Sequence, residues 1–594
     1  MKDWTWDLSI FYKGFDDPKI DADIEKIKAE IKRGHEVLEK GLSEKETLEA
    51  LVDVQEKIGT YSEDVSYFAT LTLAVDASNE DAAKLQGRME LLFVDISLLG
   101  SAIVRYLDKV DDLEAVIAQS PRLQAVDFAL LRGKEEAKHL MPAEIEPWML
   151  KMSLTGGEAF STLRDKLDAT LLVDYKCQQL PLSAIRAMAY DPDAKVRASA
   201  YEAELAAYKK IEIPMAACLN SIKGQAQTMS EAKKYDSVLD MTLSQSNMDK
   251  ETLDAMWQAI DESLPKFRAY LRKKGELLGH KDGLPFYDLF APITVKGAKT
   301  KRYTVEEARQ KLITEMGKFS PDMAKFIDNA FENRWIDMFP RAGKGGGAFC
   351  AGCHAHRQSR VMTNFTGSFS DVSTIAHELG HAWHNEQMAD LSYLMIDAPM
   401  TLAETASIFN ETLLSHAVRE QVDKKEEFSL LENYLMETTQ TIVDIYSRFL
   451  FESAVVEGRK DHALSVEELK NAMLDAQDKS YGDGLDKNIR HPYMWACKSH
   501  YYSPAVNFYN FPYAFGELFG LGMFAMYKEQ GTEFVPKYNK LLSLCGSKMV
   551  ADVAASVGID VHSVDFWRSS LKIVTDDIDE FIRLADELCG EGKA

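Results

Sequence analysis

The chain has 594 residues, and 69 Lys and Arg against 94 Asp and Glu leave a formal charge of −25. Its 46% hydrophobic and 27% charged content is globular, which excludes disordered, collagen-like and purely coiled-coil classes. The acidic balance argues against nucleic acid or an anionic membrane surface as the main partner.

The opening stretch, Met1-Lys2-Asp3-Trp4-Thr5-Trp6-Asp7, lacks the charged-then-apolar plan of an export signal. The seven cysteines are odd in number and scattered, so reduced thiols and a cytoplasmic location are expected. From 21 to 57, Ile24, Ile27 and Ile31, then Leu38, Leu42, Leu48, Leu51 and Val54, recur at mostly helical steps. Residues 76–110 and 193–230 read the same way. The apolar run Leu91 to Val104 is interrupted by Asp95 and is shorter than the roughly 20 residues that span a bilayer. It is expected to be a buried core helix. Pro121, Pro142, Pro147, Pro181 and Pro192 fall where helices should end. Asp282-Gly283-Leu284-Pro285 marks a loop, and 296–303 a basic, polar connection.

The composition changes at Arg341-Ala-Gly-Lys-Gly-Gly-Gly-Ala-Phe349. Adjacent glycines carry an entropic cost, so a mobile or closely approached backbone is expected there. Residues 360–366, rich in β-branched and aromatic side chains, predict a strand ending at Gly367. Ser370 and Asp371 then offer N-caps to a helix carrying Ile375, Leu379 and Ala382. Helical periodicity resumes after about 400 and continues to 574–588. The fold class read from this pattern is mainly α, with one small β region directly before the strongest motif.

That motif is His377-Glu378-Leu379-Gly380-His381. Two histidines four apart on a helix share a face, one turn from each other, and can bind one Zn²⁺. Glu378, beside the first ligand, can reach a metal-bound water without ligating the metal. A catalytic zinc needs a third protein ligand. The downstream acids are Glu386, Asp390, Asp397, Glu404 and Glu411. Glu386 is too near in sequence. A second, antiparallel helix would place Glu404 over the histidines, with Glu411 two turns further on the same face, where it can orient a histidine. One Zn²⁺ per chain, held by His377, His381 and Glu404, is therefore expected.

The stretch Thr366-Gly-Ser-Phe-Ser-Asp-Val-Ser-Thr-Ile-Ala-His377-Glu378-Leu-Gly-His381-Ala, with Leu402-Ala-Glu404-Thr-Ala-Ser407, resembles oligoendopeptidase F, among the thimet-oligopeptidase-like zinc metallopeptidases. Trp6-Asp7-Leu8-Ser9-Ile10-Phe11-Tyr12-Lys13 near the start and Val557-Gly-Ile-Asp560 with Asp565-Phe566-Trp567 near the end are similar to the same family, so the resemblance spans nearly the whole chain. It implies a large helical ellipsoid with a deep substrate channel and a small β region beside the zinc-binding helix. It implies an N-terminal helical domain over 1–190 forming one channel wall, and a mostly helical zincin-type catalytic domain over 191–594. It implies a zinc metalloendopeptidase that hydrolyses internal bonds of short oligopeptides, with no nucleic-acid or membrane partner.

The resemblance also points to a downstream His and Tyr cluster that stabilises the oxyanion. His500, Tyr509 and Tyr513 are the assignments, with Tyr501 and Tyr502 as near equivalents. Phe508 and Phe511 stand where relatives carry tyrosine, which leaves the particular hydroxyl open. The strand 360–366 is expected to pair with extended substrate, and the loop 343–347 to close over it. Cys350-Ala351-Gly352-Cys353-His354 has the shape of a haem-attachment site, but that chemistry needs an exported route. Cys350, Cys353, His354 and His356 are an alternative second zinc site, against a plain reduced thiol pair. His384 reads as a surface residue or one supporting a ligand.

Overall fold

The structure is a computed structural model that describes residues 4–142, 144–293, 295 and 301–589. The basic connection expected at 296–303 therefore lies mostly outside the described residues. The chain is mainly α, with a two-stranded hairpin and a three-stranded sheet. Among the described residues, no helix is long and apolar enough to cross a membrane.

The chain divides into two compact units, each assembled from three segments. One unit holds 1–140, 300–417 and 526–558, and the other holds 141–299, 418–525 and 559–594. This division cuts across the boundary expected at residue 190, because the first unit takes both the N-terminal helices and the zinc motif.

In the first unit, helices α1 (Pro18–Glu39), α2 (Glu44–Val75) and α3 (Glu80–Asp108) build an apolar core. Each starts on a side-chain cap, at Asp17, Ser43 and Asn79, which satisfies otherwise orphaned backbone N–H groups. Ile24, Ile27, Leu48, Leu51, Val54, Leu92, Leu99 and Ile103 supply that core. The expectation for Leu91 to Val104 is half met. The run is helical, but only one stripe is buried. Leu91 is 75% exposed, and Val94 and Leu98 are also turned outward.

The sheet of this unit has the order Ile336–Asp337, Gln358–Met362, Phe349–Cys353. The middle strand pairs in parallel with the first and antiparallel with the last. The strand expected at 360–366 therefore begins and ends earlier and lies in the middle of the sheet. It has no free edge to offer a substrate. The edge strands are the two-residue Ile336–Asp337 and the longer Phe349–Cys353.

The glycine-rich loop before the edge strand is pinned. Gly343 and Gly347 have φ of +83° and +77°, a region that favours glycine. Between them, Lys344 is wholly buried as a side chain and donates to Asp337 Oδ1 at 2.7 Å and to the carbonyl oxygen of Phe339 at 3.0 Å. Gly345 N–H donates to Ala74 O at 2.8 Å. These anchors hold the loop in this structure, and Gly343 and Gly347 serve its backbone geometry.

Beyond the middle strand, Asp371 gathers the chain into the next helix. Its Oδ2 accepts from the N–H groups of Thr366 and Gly367 at 2.8 Å and of Ser368 at 3.0 Å, and from the Thr366 hydroxyl at 2.8 Å. Ser368 is the N-cap and returns a bond to Asp371 N–H, completing a capping box. The cap thus falls two residues before the expected Ser370.

Burial pushes the Asp371 carboxyl up, but hydrogen bonds from Thr366 and Ser368 outweigh it and hold it below its ordinary value. A depressed carboxyl stabilises the fold above its unfolded pKa, and that contribution is lost as pH falls through the folded pKa. Asp371→Asn is expected to lower stability by about 1–3 kcal/mol at pH 7. Urea denaturation should show that deficit shrinking as pH drops below about 4. A deficit independent of pH would contradict the assignment.

Candidate metal centre

The zinc motif lies on the Phe369–Gln387 helix. The imidazole rings of His377 and His381 are 5.0 Å apart between centroids. Glu404 sits at the break between the short helix Met400–Ala403 and the helix Thr405–Arg419. Its Oε2 lies 3.3 Å from His377 Nε2 and 3.3 Å from His381 Nε2. Donors bound tetrahedrally at 2.0–2.1 Å stand about 3.3 Å from one another, so this spacing suits zinc. Among the described residues, these three form the one group of His, Cys, Asp or Glu able to hold a metal ion.

Gly380 makes the arrangement possible. A Cβ there would stand 2.5 Å from the Ala406 carbonyl oxygen and 2.6 Å from Ser407 Cα. The two helices therefore touch backbone to backbone. Asn410 donates to Ala376 O at 3.3 Å, and Ser373 to Glu411 Oε1 at 3.2 Å. Partners descend along one helix as they ascend the other, so the helices are antiparallel. Ser407 Oγ lies 2.7 Å from Glu404 Oε2 and holds that carboxylate in place.

Glu411 lies with Oε2 3.2 Å from His377 Nδ1. A proton on Nδ1 leaves Nε2 free as a metal donor. Glu378 is 6% exposed. Burial pushes its carboxyl above the ordinary value, opposed by the nearby His377 and His381. His384 is buried rather than on the surface. Burial pushes its ring down to about 4, against hydrogen bonding to the backbone carbonyls at Ala403 and Leu542. It therefore packs against the turn that presents Glu404.

The alternative second zinc site does not assemble. Cys353 belongs to the α1–α3 core, whereas Cys350 Sγ lies 4.0 Å from Asn385. His354 Nε2 meets the Leu391 carbonyl at 3.1 Å, and His356 Nε2 meets Asp64 at 2.6 Å. Alternation along the strand turns the two thiols to opposite faces, and burial pushes Cys353 up to about 12. Both are free thiols.

The other expected residues lie in the second unit. The rings of His500 and Tyr509 stack at 4.9 Å and 6°, and Tyr513 lies 6.3 Å from His500 and 6.1 Å from Tyr509. All three are half-buried. Burial, then the charges of Arg448 and Lys498, push His500 below its ordinary value. Tyr501 and Tyr502 are fully buried and pack on Phe451 and Arg164, which makes them core residues. Phe508 and Phe511 are also buried.

Two supports were not visible in the sequence reading. Glu63 of α2 accepts from the N–H groups of His354 and Ala355, at 3.2 and 3.1 Å, and so holds the tip of the sheet hairpin. In the second unit, the buried pair Lys223–Glu452, 2.6 Å apart, fixes the loop carrying Tyr509. Glu452 accepts from Phe508 N–H at 2.9 Å, and Lys223 donates to Asn507 Oδ1 at 3.0 Å. Each is a lone acid or base on an amphipathic helix, with no local motif to mark it.

A helical fold with a paired-histidine helix and a facing glutamate defines a metallopeptidase class. The profile of peptidase family M3 matches residues 187–573, about two thirds of the chain. The chain belongs to that family, in its oligoendopeptidase F branch. It is 24% identical to an oligoendopeptidase F homolog of Lactococcus lactis subsp. lactis, over 98% of this chain and 97% of the relative. It is 24% identical to oligopeptidase PepF of Bacillus subtilis, over 80% of this chain and 71% of the relative. The solved oligoendopeptidase F of Enterococcus faecium shares the fold at TM-score 0.70 and 18% identity, over 96% of this chain and 99% of that one. A solved chain from Chlamydophila abortus gives 0.82 and 22%, over 98% of each.

Gly380→Ala is expected to force the two helices apart and move Glu404 off the histidines. Overpacking of this kind costs about 1–3 kcal/mol. The variant should also retain zinc at least tenfold more weakly than the parent in a chelator competition. Wild-type zinc affinity in Gly380→Ala would contradict the role given to this contact.

Proposed function

We propose that the protein is a zinc endopeptidase that cleaves internal bonds of short peptides, with His377, His381 and Glu404 as the metal ligands. The observation that carries the proposal is Glu404 Oε2 at 3.3 Å from both Nε2 atoms, with Glu378 buried on the same helix. A bound Zn²⁺ supplies Lewis acidity that brings the pKa of water toward about 7 and polarises the substrate carbonyl. Glu378 takes a proton from the attacking water and hands it to the leaving nitrogen. Glu411 keeps His377 in the tautomer that leaves Nε2 as a donor.

The negative charge that builds on the carbonyl oxygen needs a donor. His500 with Tyr509 or Tyr513 is the proposed source, supported by the stacking of these rings and by the family resemblance. The edge strand Phe349–Cys353 is the proposed place for extended substrate, because backbone pairing there adds one more strand. Such pairing reads main chain, so cleavage should tolerate many sequences. The resemblance further implies a channel that admits short peptides and refuses folded proteins.

A binding protein that kept the fold without the chemistry is the competing class. It has no use for a buried glutamate beside a metal-binding pair. Glu378→Gln should lower kcat by at least about 10³-fold, with peptide affinity changed less than about threefold. His500→Ala should lower kcat by about 10²-fold with KM little changed. Stopped assays on a quenched short peptide, paired with binding by fluorescence anisotropy, check both. Near wild-type turnover in Glu378→Gln would sink the mechanism.

A further inference from the structure

The first unit contains a cavity of about 580 Å³ that none of the proposed metal ligands lines. That volume is far above the packing voids of a protein interior and within the range of ligand pockets. One wall is the zinc-motif helix itself, through Ala382 and Asn385, with Ala389 in the turn that follows the helix end at Gln387. Ala382 and Asn385 follow Glu378 by 4 and 7 residues (382 − 378 and 385 − 378) and so continue its stripe along the helix. At about 1.5 Å of rise per residue, the helical wall runs from about 6 to about 11 Å beyond Glu378. Gly352 and Cys353, at the end of the edge strand, form a second boundary. The far side is apolar, from α2 and α3, and Phe93 lines it while remaining 45% exposed. The cavity is therefore continuous with both the motif helix and the edge strand.

Gly100 lies on that far side, inside the 29-residue helix α3. A glycine inside a helix costs about 1 kcal/mol relative to alanine. Packing gives no reason for it here, because a Cβ at Gly100 meets nothing within 4 Å. By contrast, Gly59 on the same cavity stands where a Cβ would strike the Tyr393 ring at 2.2 Å. The missing side chain at Gly100 keeps the cavity wide and has no neighbour to accommodate.

We propose that this cavity is a specificity subsite that receives a large aromatic or aliphatic side chain of the bound peptide, about two to three residues from the bond that is cut. The spacing follows from the 6–11 Å offset and about 3.3 Å per residue of extended chain. The subsite rests on the reading of this unit as the metal-bearing half of a peptidase. It adds a side-chain preference to a cleft that otherwise reads only backbone. The apolar walls from α2 and α3 supply dispersion and apolar burial, and Arg357, Asn385, Glu386 and Asp397 give the lining its polar part.

The test is a peptide series with one cleavable bond, in which Phe, Trp, Ala or Gly is placed in turn two to three residues to either side. The zinc-loaded wild type should show a kcat/KM at least about tenfold higher for Phe or Trp than for Ala at one such position. Gly100→Trp, which fills the cavity from α3, should bring that ratio to within twofold while Ala peptides are cut at the wild-type rate. Ala389→Leu fills it from the opposite wall and should act in the same direction, which covers a folding failure of the first variant. Gly100→Ala should keep the preference. An unaltered preference in a folded Gly100→Trp, or no apolar preference in the wild type, overturns the subsite and leaves the peptidase reading intact. A wild type that cuts no peptide in the series overturns both.

Discussion

The backbone contact between Gly380 and the Ala406–Ser407 segment sets everything else in the candidate site. Two histidines one turn apart are only a chelating pair. They become a three-donor site when another chain segment brings a carboxylate to both Nε2 atoms at once. That requires helix axes closer than any Cβ permits, and Gly380 removes the one atom in the way. Asn410 and Glu411 then hold the pairing by hydrogen bonds along its length, and Ser407 holds the Glu404 carboxylate within its own segment. His384 is buried beside Ala403, the residue before Glu404. The glutamate is fixed by packing, and the geometry suits a tetrahedral ion without rearrangement.

The same principle runs through the first unit. Elements that flexible-looking sequence would leave loose are tied by single polar side chains. Lys344 holds the glycine-rich loop, Asp371 the strand exit, and Glu63 the hairpin tip. Each acts on backbone atoms, where a lost partner leaves several unsatisfied groups at once. In the second unit, Lys223 and Glu452 do this for the loop bearing Tyr509. The residues assigned to chemistry sit on segments anchored by these bonds, and anchoring of this kind favours efficient positioning.

Much of this was legible from residue order. The helical stripes of α1 and α2 follow from the spacing of Ile24, Ile27, Leu48 and Leu51, because apolar burial on one face is a local pattern. The pairing of His377, His381 and Glu404 followed from helical geometry and a loop of suitable length. What stayed hidden depended on contacts between distant segments. The order of the sheet put the expected substrate strand in the middle, and nothing local distinguishes an edge strand from a central one of similar composition. The apolar stretch from Leu91 looked like core because periodicity tells which residues share a face and is silent on whether that face is covered. Three clustered glycines looked mobile because the buried Lys344 anchor, one residue among many lysines, carries no signal of its own. The split at residue 190 failed to anticipate units built from interleaved segments.

The central claim is that two imidazole nitrogens and one carboxylate hold the metal, with no thiolate. X-ray absorption at the zinc edge of the metal-loaded protein tests it most directly. The account predicts a shell of nitrogen and oxygen scatterers at about 2.0–2.2 Å, with the outer-shell pattern of two imidazoles and one zinc per chain. A sulfur scatterer at about 2.3 Å would place Cys350 or Cys353 on the ion and contradict the account.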